Sequence, residues 1–541
     1  MLPRAMRVPV RAEWRWAAVF AVLVMALTTA PYVAGALAQT GEWRFSGFLI
    51  GVEDGNSYIA KMGQGARGGW LFRLPYSSEP QTGAFVYIFY LVLGKLSGAG
   101  HTARVLTFHL ARVVFGFLLL VISYRFLAEF LPTVTQRRLG LVLVALGGGL
   151  TWLVVMLQQW LGPAMDLFAL DLLSPEAFSF LMLFSLPHLA AARCLFLLAL
   201  LAHLRGRGAW TGAALFGVSL IQPLYVIVAW IVMGADTLAV LLRGRKGSDG
   251  TDGNRFHSLG AGLWNTVKGP AWAVLISSPV VVYSLFTFNA DPVLRQWLAQ
   301  NILTSPHPVN YLLGYGALLL PALFGWRVLQ RERPDLARFV AVWALLLPVL
   351  LYLPISTQRR MIEGFQLPLV AAAVLGLTAT WRRWSRLALP LTLVLTLPTT
   401  ALLVAGGFGA AALPSEPIFT SADRLRAFAW LNENAAPGEV ALSNYEIGNE
   451  LPVYTPLVAY IGHGPETVFL AQKQPRVASF FDNTGSDAER RALLVDGRIS
   501  YVVDGPHNRR AMSSFDPRGA EYLRPVYSSG AYTVYRVHLS K

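Results

Sequence analysis

The stretch GVEDGNSYIAKMGQG, residues 51–65, sets two carboxylates side by side, Glu53 and Asp54, about fifteen residues past a long apolar run. A carboxylate is a general base, and partial desolvation strengthens it, because burial disfavours the charged form. The surroundings, SYIAKM and then GGWLFRLPY, are amphipathic and aromatic. They fit a loop that lies on a membrane and folds back, which would hold the acids near lipid. Tyr58 follows Asp54 by four residues, one helical turn on. The plain alternative is a solvated loop acid.

Other side chains could meet a substrate. Arg359 and Arg360 stand in STQRRMIEGFQLPL at a helix end. A guanidinium binds phosphate bidentately and keeps its charge in a low-dielectric site; an ordinary juxtamembrane anchor would look the same. The stretch MDLFALDLLSPEAFSFLMLFSLPHLAAAR offers Asp166, Asp171 and Glu176 with no basic residue beside them. His188 follows Pro187 on an apolar helix, where an ionisable group is costly enough to suggest substrate contact, against a hydrogen-bonded core histidine. Gln222 precedes Pro223 at a helix break of the kind that lines a cavity. His307 in NILTSPHPVNY carries less of this signal. The sequence has no HExxH, no paired His/Cys ligand spacing and no GxSxG elbow. Its single cysteine, Cys194, excludes intrachain disulfides and Cys-based metal sites, and reads as a small buried hydrophobe.

The elements that must position these groups are membrane helices. Of 541 residues, 55% are hydrophobic and 14% charged, with mean hydropathy +0.48. Soluble domains carry about 25% charged residues, so this is a polytopic membrane protein. A net charge of +15 raises nucleic acid as a partner, but the arginines fall mostly between apolar segments, where the positive-inside rule puts them. Spanning helices are expected over 17–38, 104–127, 139–161, 178–203, 210–222, 224–242, 270–289, 309–329, 337–355, 366–380 and 387–408. That is about eleven, with a break at Gln222-Pro223. The segment TGAFVYIFYLVLGKL (82–96) spoils the charge pattern as a crossing. It is expected to be a membrane-surface or re-entrant helix within a long outer loop, 39–103.

With the N-terminus inside, the inner segments hold Arg4 to Arg15, Arg125/Arg137/Arg138, Arg205/Arg207, Arg243 to Lys268, Arg327 to Arg338 and Arg382/Arg383/Arg386. The outer loops collect Glu53, Asp54, Glu79, Asp166, Asp171, Glu176 and Asp291. Arg359 and Arg360 are the clearest local violation. The first run ends in ALAQT, which resembles a signal-peptidase site, but its length suits a retained helix. The stretch 243–255 reads as a flexible inner loop.

From about 415 the composition changes. SADRLRAFAWLNENAAPGEVALSN reads as a capped helix, a Pro-Gly turn and a strand. RISYVVDGP is a buried-strand pattern, and YLRPVYSSGAYTVYRV a hairpin around Ser529-Gly530. Residues 1–413 are therefore expected to form the membrane domain and 414–541 a soluble α/β domain on the outer face. YEIGNELPVYT and GHGPETVFLAQKQ contain polar groups suited to a ligand, with no site residue assigned there.

An Asp shortly after the first membrane helix, followed by a surface helix with Tyr, resembles the C-type (GT-C) superfamily of membrane glycosyltransferases, which use polyprenyl-phosphate-linked sugars. The resemblance runs from about residue 14 to 410. It implies that Asp54 is the general base or acceptor-positioning group. Glu53 is the other claimant: the family order is Asp then Glu, here reversed, which leaves the choice open. A second acidic motif in the family's later loop makes Glu176 a candidate for the site, with Asp166 behind it. Some members need a divalent metal bound partly by first-loop acids; nothing in this sequence demands one.

The expected function is an outer-face glycosyltransferase of the plasma membrane, with a lipid, glycan or protein acceptor and no nucleic-acid partner. Asp54 or Glu53 would act as base. Arg359 and Arg360 would hold phosphate, and Glu176, His188, Tyr58 and Gln222 would contact substrate. A transporter or flippase would instead show internal pseudo-symmetry and ionisable residues at mid-membrane, and neither is evident. A non-catalytic assembly or sensor protein would bind the donor lipid without sugar transfer.

Overall fold

The structure, a computed structural model, describes residues 9–98, 100–161, 167–246, 255–379, 385–482, 484–506 and 515–539. Arg4, Arg7, Asp166, Arg382, Arg383 and residues 247–254 of the expected inner loop lie outside the described residues.

Seven helices among the described residues are long and apolar enough to cross a membrane, or eight if a pair bent by 40°, Val134–Leu146 and Thr151–Leu157, is one span. The protein is thus a multi-pass membrane protein. Three of the eleven expected crossings are shorter apolar helices, Pro187–His203, Gly208–Ile221 and Gln366–Thr378. Proline explains two of the shortenings. Pro187 and Pro223 lack the amide a continuing helix needs, so new helices begin at each of them. Ile88–Ser97, within the expected surface segment, has 10 residues, about 15 Å of helix, half the depth of a bilayer core.

The chain divides into two compact units. The first comprises residues 1–29, 110–285 and 303–406. Its helices pack through small residues, as membrane helices do when backbones approach closely. A Cβ on Gly325 would lie 1.7 Å from the Ala372 carbonyl oxygen, and one on Gly376 would lie 1.9 Å from that of Pro321. Trp343 is fully buried against Phe196, Phe339 and Phe365.

The second unit comprises residues 30–109, 286–302 and 407–541. It therefore joins the C-terminal α/β portion to the long first loop. β1 (Trp43–Phe45) pairs antiparallel with β2 (Phe419–Ser421), Arg44 opposite Thr420. The main sheet has five strands in the order β4-β3-β5-β7-β6: β3 is Val440–Leu442, β4 Val458–Ala459, β5 Ile499–Asp504, β6 Leu523–Ser529 and β7 Tyr532–Val537. β3 runs parallel to β4 and β5, while β7 is antiparallel to β5 and β6. The β6–β7 turn places Gly530 at φ 54°, the left-handed region glycine tolerates. Ser421, Asn444 and Ser486 accept backbone amides at the starts of three helices of this unit.

The acid-bearing helix, Val52–Ala66, lies against Ile88–Ser97 with backbones nearly touching. A Cβ on Gly65 would stand 2.0 Å from the Leu91 carbonyl oxygen, and one on Gly94 1.9 Å from that of Met62. The glycines of GQG and LGK thus let the acid-bearing helix seat directly on Ile88–Ser97.

Candidate active site

Gly51, at φ 59°, turns the chain into the Val52–Ala66 helix, and Glu53 and Asp54 fall in its first turn. Acids are favoured there by the helix dipole. The two then diverge. Glu53 Oε1 accepts the Tyr445 hydroxyl at 2.6 Å and the Gly464 amide at 2.7 Å. Asn449 Nδ2 donates to the Glu53 carbonyl at 3.4 Å. Glu53 is therefore a strap between the acid helix and the C-terminal segments. Asp54 points outward, its side chain 64% exposed, with Oδ1 3.4 Å from Nε2 of the buried His463. The protein itself leaves the Asp54 side chain exposed rather than burying it. In that first turn Val52 is buried and Asp54 faces out, and the neighbouring aromatic rings pack further along. Tyr58 lies among them, stacked on Tyr90 at 4.5 Å.

A buried polar cluster fixes this geometry. Lys61 Nζ lies 2.5 Å from Glu466 Oε1 and also donates to Ser57 Oγ. Ser57 Oγ donates to the same Glu466 oxygen at 2.7 Å. The ammonium sits 4.4 Å from the centre of the Tyr87 ring, with Tyr58 and Phe72 each at 5.4 Å. Glu466 also donates its amide to His463 Nδ1 at 3.3 Å, which leaves the neutral ring's proton on Nε2, toward Asp54. His463 stacks on Tyr76 at 5.4 Å, and Tyr76 donates to the Asn449 carbonyl at 3.0 Å. Burial works against charge on His463, but Glu466 and Asp54 outweigh it and raise the imidazole above its ordinary value. Burial likewise opposes ionisation of Glu466, yet Lys61 and His463 hold its carboxyl below the usual range. Tyr445 is pushed up, by burial first and then by Glu53.

The first unit carries a second ionic cluster. Arg359 and Arg360 lie on a short turn, Gln358–Ile362. Arg360 Nε is 3.3 Å from Glu176 Oε1, and the Arg359 guanidinium sits 4.5 Å from the centre of the Phe168 ring. Below them Arg193 grips Glu363 with two bonds, 2.6 and 2.8 Å long, both side chains fully buried. Arg193 also donates to the Glu176 carbonyl at 2.7 Å. Glu176 thus links a half-buried arginine to a buried one.

His188 is half-buried in the first turn of Pro187–His203. Gln222 is half-buried at the end of Gly208–Ile221, and its carbonyl accepts the Tyr225 amide at 3.1 Å. His307 caps the helix beginning at Pro308. Asp171, grouped above with the outer-loop acids, is buried and accepts the Gly149 amide at 2.7 Å and the Thr399 hydroxyl at 2.6 Å. It clamps the bend at 147–150. Asp171→Ala should therefore lower stability by about 1–3 kcal/mol, read as a lower unfolding midpoint in detergent; an unchanged midpoint would contradict the clamp. Among the described residues no three His, Cys, Asp or Glu side chains converge as a metal ion would require. Glu53, one of the two first-loop acids, is turned to Tyr445 and Gly464.

Sequence reasoning missed His463, Lys61, Glu466, Tyr445 and Asn449, which come together only in three dimensions. It also passed over Arg193, although Arg193 is the one Arg, Lys, Asp or Glu in the apolar run from Pro187 to Ala202, and an intramembrane charge is a site signal by default.

A multi-pass helical chain with an acid-bearing helix in its first long loop and a small α/β portion at its C-terminus has the fold of the GT-C membrane glycosyltransferases. The solved structures it matches include the arabinofuranosyltransferase AftD from Mycobacteria, at 15% identity and TM-score 0.56, over 99% of this chain and 40% of that one. The chain thus spans two-fifths of that enzyme's length. The apo oligosaccharyltransferase of Archaeoglobus fulgidus matches at 13% identity and TM-score 0.54, over 92% of this chain and 70% of its own. The same enzyme tethered to an acceptor peptide containing the NVT sequon matches at 13% and 0.52, over 89% and 69%. No family model and no curated protein matches the sequence. At such identities the likeness speaks for the fold.

Proposed function

We propose that the protein is a membrane glycosyltransferase that moves a sugar from a polyprenyl-phosphate carrier to a hydroxyl of a lipid, glycan or protein on the outer face of the plasma membrane. One observation carries the reading. Within a GT-C fold, Asp54 presents an exposed carboxylate in the first turn of the Val52–Ala66 helix, beside a buried histidine. The acceptor hydroxyl gives its proton to Asp54 as its oxygen bonds the anomeric carbon. The carbon–oxygen bond to phosphate breaks, and its electron pair leaves with the phosphate. Attack opposite the leaving group inverts the anomeric centre. Glu53, with two hydrogen bonds on one oxygen, orients the helix and leaves the proton transfer to Asp54. Any divalent metal would add Lewis acidity at the phosphate; no step here uses one.

The donor phosphate is assigned to Arg359 and Arg360, with Glu176 holding Arg360. His188, Gln222 and Tyr58 remain candidate substrate contacts. A charge-assisted bond is worth about 1.5–3 kcal/mol, so Arg359→Gln and Arg360→Gln should each weaken donor binding by about ten- to a hundredfold. Titration of purified protein with decaprenyl phosphate checks this; unaltered affinity in both variants would remove the arginines from the site.

The enzymatic reading is tested by incubating reconstituted protein with a panel of decaprenyl-phosphate-linked pentoses and hexoses and with membrane extract as acceptor, with products identified by mass. Transfer from at least one donor is expected. Donor binding without transfer across the panel would favour an assembly or sensor role.

A further inference from the structure

We propose that His463, from the C-terminal α/β portion, is the positioning residue for Asp54, so that this portion completes the proton-accepting half of the site. The inference rests on the reading of Asp54 as the base.

The ring has little freedom. Its Nδ1 takes the Glu466 amide at 3.3 Å, its face stacks on Tyr76 at 5.4 Å, and its side chain is 4% exposed. Glu466 is pinned by Lys61 and Ser57 from the acid helix and by Ser77, whose hydroxyl donates to the Glu466 carbonyl at 2.8 Å. Nε2, which makes no aligned hydrogen bond, lies 3.4 Å from Asp54 Oδ1. That separation is long for a hydrogen bond, and catalytic contacts of this kind tighten when substrate binds.

The charged and titratable groups around His463 are Asp54, Glu53 and Lys61 on the acid helix, Tyr76 on the following segment, Glu466 on its own loop, and Tyr445, bonded to Glu53. When His463 takes a second proton, Nδ1 becomes a donor and loses the Glu466 amide. The new cation also draws charge from Asp54 and weakens it as a base. Activity should then fall on the acid side with an inflection set by His463, above the ordinary imidazole value of about 6.5 because the imidazole is raised.

The test measures pH profiles of kcat/KM for wild type, His463→Ala, His463→Gln and Asp54→Asn, as full-length reconstituted protein, with the donor the panel selects. His463→Ala should lose about ten- to a hundredfold, the scale of a misplaced reacting group. His463→Gln, whose amide can donate from nearly the same place, should recover most of that loss and lack the His463 inflection. If His463→Ala does not fold, the shape of the His463→Gln profile decides alone. An inactive Asp54→Asn beside a His463→Gln profile that superposes on wild type would overturn this inference and leave Asp54 as base. Asp54→Asn at wild-type turnover would overturn the assignment of the base itself, and this inference with it.

Discussion

Asp54→Asn is expected to lower turnover by about 10²–10⁴-fold, the contribution of a positioned general base, while the protein still inserts and unfolds at the wild-type midpoint. The two halves of this result have separate causes. The amide differs from the carboxylate in one atom but cannot take up the acceptor's proton. It costs the fold little, because the Asp54 side chain is 64% exposed and an amide fits the same place beside the buried His463. Glu53→Gln should behave in the opposite way. Its oxygen can still accept the Tyr445 hydroxyl and the Gly464 amide, so both activity and stability should stay near wild type. If Glu53→Gln were inactive and Asp54→Asn active, the roles of the two acids would be exchanged.

Lys61→Met should destabilise the protein by about 3–5 kcal/mol, the cost of breaking one side of a buried ion pair. The ammonium is fully buried, and Glu466 is only 5% exposed. Methionine fills the space among Tyr58, Phe72 and Tyr87 and keeps the aromatic contact. The penalty therefore comes from the orphaned carboxylate, left with the Ser57 hydroxyl. A second change, Glu466→Leu, should recover much of the loss, since an apolar pair of similar volume often replaces a buried ion pair at little cost.

The pH dependence follows from the depressed carboxyl of Glu466. Its stabilisation is present above the unfolded-state value of about 4.3 and fades as pH falls through the lower folded value. The gap between wild type and Lys61→Met, followed by intrinsic fluorescence in detergent, should thus narrow only in strong acid. Equal midpoints at neutral pH would contradict the clasp.

These two lysine and glutamate side chains show why half of the site was hidden in the sequence. Lys61 and Glu466 are 405 residues apart, and Gly464 and Glu53 are 411. No local pattern links them, and Lys61 alone reads as an ordinary polar residue on an amphipathic helix. What periodicity, proline and glycine control was legible. Apolar run lengths marked the helices, Pro187 and Pro223 explain where long runs break, and Gly530 sits in the hairpin turn it was expected to make. Asp171 looked like a loop acid because its partners, Gly149 and Thr399, lie on other segments. The Glu176–Arg360 pair, 3.3 Å apart, joins two residues chosen separately for their unusual charge context. Asp54, the proposed base, stood out from its place after the first membrane helix; the histidine behind it did not.

The most direct measurement is a single-turnover assay in proteoliposomes, with the labelled decaprenyl-phosphate sugar mixed with an excess of wild-type protein or Asp54→Asn. Wild type should transfer the sugar to acceptor within the first turnover, while the variant binds the same amount of donor lipid and leaves the sugar on it. Equal first-turnover transfer by the two proteins would contradict the account.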